Sequence, residues 1–132
     1  MKGLDTTALI DALRGEEGIR KKVAVFDQAG LATTEVNAFE TLVGFHFQGG
    51  SALSRRLDAV YRLLEDLVVF PLDRGGSDRA ARIAAALARE GRRIGTGDAL
   101  TAGILLDHGV DTIVTRDTRH FARVPDLHVE TY

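Results

Sequence analysis

The chain has 132 residues, of which 45% are hydrophobic and 27% are charged, a composition that indicates one globular domain with a single core. It contains no cysteine, which excludes disulfides, thiolate nucleophiles and cysteine-ligated zinc. The net charge of -2 argues against a module that binds nucleic acid through overall positive charge alone.

The apolar stretches are too short to cross a bilayer, and Met1 is followed by no basic-then-apolar signal segment. We therefore expect a cytoplasmic protein with no membrane partner.

Hydrophobic periodicity predicts strands that alternate with helices along the chain. The predicted strands lie at 2–4, 31–34, 68–72, 112–115 and 127–131. The predicted helices run from Thr6 or Thr7 to about Leu13, and then over 16–30, 35–45, 51–66, 76–90 and 97–109. This alternation predicts an α/β fold, a single domain over 1–132 with a mostly parallel central β-sheet flanked by helices on both faces.

Four acidic residues fall near the ends of the predicted strands or the starts of the helices that follow. Asp5 ends the first strand, and Asp117 lies two residues past Thr115 at the end of the fourth. Asp98 opens the helix after the segment "GTGD", and Glu40 lies on the helix after the second strand. Because ligands of open α/β sheets collect at the carboxyl ends of the strands, we expect these four carboxylates at one rim.

Such a cluster of carboxylates needs compensation. Two of them about 4 Å apart repel by roughly 4 kcal/mol at an effective dielectric of 20, so either their pKa values rise or a cation lies between them. Oxygen ligands suit Mg²⁺ or Mn²⁺ better than zinc. A bound Mg²⁺ lowers the pKa of a water ligand, and a carboxylate beside it can orient the attacking water, which favours a hydrolase of phosphodiesters.

Four segments in order resemble the PIN domain family, in particular the VapC-type toxins of prokaryotic toxin–antitoxin pairs. They are "LDTTALIDAL" at the start, "TTEVNAFETLVG" around Glu40, "IGTGDALTAGILLDHG" around Asp98 and "IVTRDTRHFARVPDLHVETY" at the end. Residues 51–90 carry no matching segment. The chain departs from the usual pattern in the glycine-rich "GTGD" and in Arg116 directly before Asp117, and both could change loop geometry and substrate preference.

The resemblance implies a PIN domain over 1–132 and a Mg²⁺- or Mn²⁺-dependent endoribonuclease with RNA as its substrate. It also implies a homodimer and a cognate antitoxin whose C-terminal segment blocks the acidic pocket. Asp5 and Asp98 match the family's direct ligands, while Asp117 matches a position that often acts through water or supports a second metal. The implied catalytic and metal-binding residues are Asp5, Glu40, Asp98 and Asp117, with Thr6 and Thr115 at polar positions that line or orient the acids.

Each acid also has an ordinary interpretation. Aspartate is a favoured helix N-cap residue, which could explain Asp5 and Asp98, and it is common in turns, which could explain Asp117. A Glu40 side chain that faces solvent needs no functional explanation. Its neighbours on the helix look core-like, however, which favours an inward carboxylate that needs a partner. For Asn37, one helical turn earlier, substrate contact is a possible role, but we expect a solvated or capping one.

The four histidines share no spacing typical of a metal site or a catalytic dyad, and we interpret them as structural. They are His46, His108, His120 and His128.

Three other functions remain open on the sequence. A signalling receiver also gathers acids and Mg²⁺ at strand ends, but it needs a lysine near the last strands, and the lysines here are Lys2, Lys21 and Lys22. A PIN-like scaffold without catalysis is disfavoured by the intact acidic quartet. An RNA-processing nuclease outside a toxin–antitoxin system has the same site, and only the neighbouring reading frame separates it from a toxin.

Overall fold

A computed structural model describes residues 1–26 and 30–132, in which strands and helices alternate as predicted. The strands are β1 (Lys2–Leu4), β2 (Leu31–Thr34), β3 (Val68–Phe70), β4 (Thr112–Val114) and β5 (His128–Glu130). The helices are α1 (Thr6–Leu13), α2 (Glu17–Phe26), α3 (Glu35–Gln48), α4 (Leu53–Glu65), α5 (Arg74–Arg89), α6 (Thr96–Asp107) and α7 (Thr118–Phe121).

The five strands form one parallel sheet in the order β3-β2-β1-β4-β5. Gly3 of the central strand pairs with Ala32 on one side and with Ile113 on the other. The chain builds outward from β1 to β3 and then crosses to β4 on the opposite side of β1. This reversal is a topological switch point, and it opens a crevice between the carboxyl ends of β1 and β4.

Hydrophobic clusters cover both faces of the sheet. Ile113 belongs to a cluster with residues of α5, α6 and α7, whereas its neighbour Val114 belongs to a second cluster with residues of α1 and α2. Successive strand residues point to opposite faces, so the two clusters lie on opposite sides of the sheet. The predicted fold class, an α/β domain with helices on both faces of a parallel sheet, is confirmed.

Helices α5 and α6 pack unusually closely because Gly103 has no side chain. A Cβ added there would lie 2.5 Å from the backbone nitrogen of Ala80. The residues from Thr101 to Leu106 are all buried, so α6 is enclosed between α5 and the sheet. Its first turn is thereby held at the rim where the predicted acidic site lies.

The element boundaries differ from the predicted ones by a few residues. β3 ends at Phe70 because Pro71 has no N–H to donate to a strand ladder. α5 begins two residues early because the Asp73 side chain accepts from the Gly76 N–H and caps the helix. Of the helix predicted over 16–30, the structure shows Glu17–Phe26, and positions 27–29 lie outside the described residues.

Two further findings concern helices. The sequence did not predict α7, because four residues are too few to show helical periodicity. Within residues 1–26 and 30–132, none of the helices combines the length and the apolar character needed to cross a membrane.

Candidate metal-binding active site

Asp5 is buried at the end of β1 and is held by three hydrogen bonds. Its Oδ1 accepts from the Ala8 N–H at 3.0 Å and from the Thr7 hydroxyl at 2.7 Å. Its Oδ2 accepts from the Thr115 hydroxyl at 2.6 Å. Asp5 therefore caps α1, as its ordinary interpretation requires, but its second oxygen also ties the end of β1 to the end of β4.

Thr115 joins two of the acids directly. While its hydroxyl donates to Asp5, the same oxygen accepts from the Asp117 N–H at 2.8 Å. Thr7 supports this junction, because its hydroxyl accepts from the Arg116 N–H at 3.0 Å. Thr115 was predicted beside the acids but Thr7 was not, and the only signal for Thr7 was its position two residues after Asp5.

Glu40 reaches the same rim from α3. The Thr6 hydroxyl donates to Glu40 Oε1 at 3.0 Å, so Thr6 connects this carboxylate to the residue next to Asp5. The side chain of Glu40 is exposed, and the prediction that its neighbours are core-like was wrong for Phe39 and Val43, whereas Leu42 is half-buried. Phe39 is 66% exposed and Val43 is 49% exposed, because α3 turns this face away from the sheet.

Gly97 explains part of the glycine-rich segment before Asp98. A Cβ at Gly97 would lie 3.0 Å from Glu40 Oε2, closer than a side chain normally approaches. The missing side chain therefore leaves room for the Glu40 carboxylate against the first turn of α6.

Asn37 is buried rather than solvated, and it takes part in the capping of α3, because the Thr34 side chain accepts from its N–H at 3.2 Å. Its Oδ1 accepts from the hydroxyls of Thr34 at 2.7 Å and Thr101 at 3.2 Å. Its Nδ2 donates to the Thr6 hydroxyl at 3.1 Å. Buried polar groups need such partners, and this network fixes α3 against α6 directly behind Glu40.

Asp98 and Asp117 meet at the mouth of the crevice together with His120. The His120 Nδ1 lies 3.0 Å from Asp117 Oδ2 and 3.4 Å from Asp98 Oδ2. One potential ligand atom from each of the three residues lies within 4.8 Å of the other two. Among the described residues, this group of ligand atoms does not include Asp5 or Glu40.

The interpretation of His120 as structural missed its contacts with Asp117 and Asp98. The available signal was its spacing of three residues from Asp117, which places both side chains on one face of a helical turn. For His108 a structural role is supported, since its ring stacks on Phe70 at 4.2 Å and its Nδ1 lies 2.9 Å from the Ile104 carbonyl oxygen. The other two histidines, His46 and His128, are exposed.

Burial and the negative charge of the site raise two pKa values. Burial and the carboxylates of Asp117, Asp5 and Glu40 raise the pKa of Asp98 from 3.8 to about 6, although His120 opposes the rise. Burial also raises the pKa of Asp5, despite its hydrogen bonds from Thr115, Ala8 and Thr7. The four acids thus share one electrostatic environment, and two of them lie within ligand distance of each other.

Arg116 does not neutralise this environment. Its Nε lies 3.1 Å from Oδ2 of the buried Asp11, and the Tyr132 hydroxyl donates to the same oxygen. The basic residue that departs from the family pattern therefore anchors the loop before Asp117 to α1 and to the end of the chain.

The donor set suits a hard divalent cation. Carboxylate oxygens are the ligands that Mg²⁺ and Mn²⁺ prefer, and burial together with the charges of Asp117, Asp5 and Glu40 raises the pKa of Asp98. Asp98 and Asp117 are close enough to hold such an ion between them, and Asp5 and Glu40 lie near Asp98.

Comparisons with known proteins agree with this architecture. The family model of the PIN domain matches residues 3–127. The tRNA(fMet)-specific endonuclease VapC of Shigella flexneri is 26% identical over 129 residues, which cover 98% of this chain and 96% of the relative.

Two solved structures share the fold over nearly their whole length. A DNA-bound VapBC from Salmonella typhimurium has a TM-score of 0.86 at 26% identity, covering 98% of this chain and 96% of the other. VapBC2 from Rickettsia felis, bound to a promoter DNA fragment, has a TM-score of 0.88 at 17% identity, covering 99% and 98%.

Proposed function

This chain belongs to the PIN domain family, and on that premise we propose that it is a Mg²⁺- or Mn²⁺-dependent endoribonuclease that acts as the toxin of a toxin–antitoxin pair. The observation that carries the proposal is the Asp98–Asp117 pair, whose ligand atoms lie within 4.8 Å of each other, beside the carboxylates of Asp5 and Glu40. Capping of α1 accounts for Asp5 but not for the gathering of the other three carboxylates beside it.

The exposure and the hydrogen bonds of each acid suit it to a different role in catalysis. Asp98 and Asp117 are about one-third exposed, at 30% and 37%, and would hold the cation at the mouth of the crevice. Asp5 is buried and fixed by its hydrogen bonds, so it holds its charge in a constant position behind them. When bound, the cation would supply a water of lowered pKa and offset the charge that builds on the phosphate.

Glu40 is the acid best placed to act on the attacking water. It is exposed, and Thr6 holds one of its oxygens, so its carboxylate is oriented without being enclosed. A carboxylate in this setting accepts a hydrogen bond from water and directs its lone pair at the phosphorus. Hydrolysis by this route leaves 5′-phosphate and 3′-hydroxyl ends on the RNA.

Cleavage of end-labelled RNA tests the nuclease. Activity is expected with Mg²⁺ or Mn²⁺ and is expected to disappear with EDTA and in Asp5→Asn and Asp98→Asn. Asp58→Asn, on the exposed face of α4, is the matched control and should cleave like the wild type. Cleavage that persists in both site variants would exclude this mechanism, and metal binding without any cleavage would favour a binding scaffold. Initiator tRNA belongs in the substrate panel, because the Shigella relative is named for it.

A protein partner is supported by the surface of α3. Phe39, Val43 and Phe47 follow one another at spacings of four residues and are 66%, 49% and 91% exposed, which places an apolar stripe on one helix face. The similar solved structures are VapBC complexes. We propose that a cognate antitoxin and a second copy of the chain use such apolar surface, and that the complex is cytoplasmic.

The partner is testable by co-expression with the neighbouring reading frame. Co-purification of a small protein that inhibits RNA cleavage is expected of a toxin. A chain that has no such neighbour and yet matures a specific RNA would instead be an RNA-processing nuclease. Light scattering of the purified chain should give the mass of a dimer.

A further inference from the structure

We infer that His120 is a third ligand of the cation site, through its Nδ1 atom, and that it shifts the preference of the site from Mg²⁺ toward Mn²⁺. This inference rests on the proposed function, because it concerns the same ion.

The spacing of the His120 nitrogen from each of the two aspartate oxygens is close to that of neighbouring ligands on one cation. A cation with ligand distances of about 2.1 Å has neighbouring ligands about 3.0 Å apart. The His120 Nδ1 lies 3.0 Å from one aspartate oxygen and 3.4 Å from the other. The donor atoms of all three residues lie within 4.8 Å of one another, so binding one cation among them would require only small movements of the side chains.

The backbone that carries His120 is well anchored. Phe121 is fully buried in the hydrophobic cluster under α7, and the Ala122 N–H donates to the Thr118 carbonyl oxygen at 3.0 Å. At the other end of the turn, the Asp117 N–H is fixed by Thr115. His120 is 39% exposed, so its ring faces the crevice from a rigid support while an ion from solvent can still reach it.

The chemistry of imidazole gives the expected selectivity. Carboxylate and water ligands suit Mg²⁺ and Mn²⁺ alike, whereas an imidazole nitrogen favours transition-metal ions. A site with two carboxylates and one imidazole should therefore bind Mn²⁺ more tightly than a site with carboxylates alone, and should gain little for Mg²⁺. If His120 were only a hydrogen-bond donor to the two carboxylates, its removal would affect both ions equally.

The test measures binding of Mn²⁺ and Mg²⁺ by calorimetry, together with pulsed electron paramagnetic resonance of the Mn²⁺-loaded full chain. The variants are His120→Ala and His120→Asn, in which the amide can still donate a hydrogen bond to the carboxylates. His128→Ala is the matched control. His128 is exposed and begins β5, so it lies at the amino ends of the parallel strands, whereas the site lies at their carboxyl ends. Circular dichroism checks that each variant is folded.

We expect a ¹⁴N hyperfine coupling to Mn²⁺ in the wild type and in His128→Ala, and its loss in both His120 variants. Affinity for Mn²⁺ should fall about 10-fold or more in His120→Ala, with a smaller loss for Mg²⁺. A wild-type protein that binds Mn²⁺ without nitrogen coupling would overturn the inference and leave the proposed nuclease intact. If Mn²⁺ does not bind at all, or binds equally to Asp98→Asn, both the inference and the proposed function fail.

Discussion

Replacing Asp98 with asparagine should stabilise the metal-free protein at neutral pH while it destroys metal binding. The reason is that Asp98 is partly buried and lies among carboxylates that repel its charged form, so its pKa rises from 3.8 to about 6. Asparagine keeps the shape of the side chain and carries no charge. A residue that lowers stability in this way is typical of a functional site.

The magnitude follows from the pKa. Each pKa unit corresponds to about 1.4 kcal/mol, so the rise amounts to about 3 kcal/mol. Solvent screening reduces this figure, because the side chain is 30% exposed, and a gain of about 1 to 2 kcal/mol remains. The pKa of Asp98 is higher in the folded state than in the unfolded state. Protonated Asp98 therefore adds to the free energy of unfolding fully below about pH 3.8, and this contribution is lost as the pH rises through about 6.

The assay is urea denaturation of the wild type, Asp98→Asn and Asp58→Asn in EDTA, at about pH 4 and about pH 7.5. Asp98→Asn should be more stable than the wild type at the higher pH, with a much smaller difference at the lower pH. Asp58→Asn should follow the wild type at both. A variant that is less stable than the wild type at pH 7.5, or a gain that is equal at both pH values, would refute this account of the charge. In a separate series without EDTA, added Mn²⁺ should raise the unfolding midpoint of the wild type but not that of Asp98→Asn.

Three other sets of substitutions probe the supports of the site. Thr115→Val removes a buried hydroxyl that donates one hydrogen bond and accepts another, and should lower the free energy of unfolding by about 2 to 4 kcal/mol in urea. Gly103→Ala places a methyl 2.5 Å from the α5 backbone and should cost about 1 to 3 kcal/mol in thermal unfolding. Gly44→Ala meets nothing within 4 Å and should instead add about 0.5 to 1 kcal/mol; the reverse order of these two glycine variants would contradict the packing account. Burial and Asp11 raise the pKa of Tyr132, so the stability given by its neutral hydroxyl is present below about pH 10 and lost above it. From about pH 9 to about pH 11 the wild type should therefore lose stability more steeply than Tyr132→Phe, and parallel curves would show that this hydroxyl is not coupled to folding.

Much of the rim could be predicted because its acids lie close to strand ends or helix starts. Asp5 follows β1 directly, and Asp117 comes three residues after β4, so strand periodicity alone placed both at the carboxyl edge. The position of Asp98 at the start of a helix was predicted from the glycines that precede it and the apolar helix that follows. The exposure of Phe39 could not be predicted in the same way, because the periodicity of α3 does not show which of its apolar residues the sheet covers and which face solvent.

The sequence by itself determined the alternation of strands and helices, the capping of α1 by Asp5 and the presence of four acids near the strand ends. These features depend on residues a few positions apart, and local sequence reports them. Only the tertiary structure decided the strand order, the 110-residue separation bridged by the Thr115–Asp5 hydrogen bond, and the approach of His120 to Asp98. Those contacts arise because β4 packs beside β1 and α6 lies against the sheet. Hydrophobic periodicity reports the structure of each segment but does not indicate which distant segments pack together.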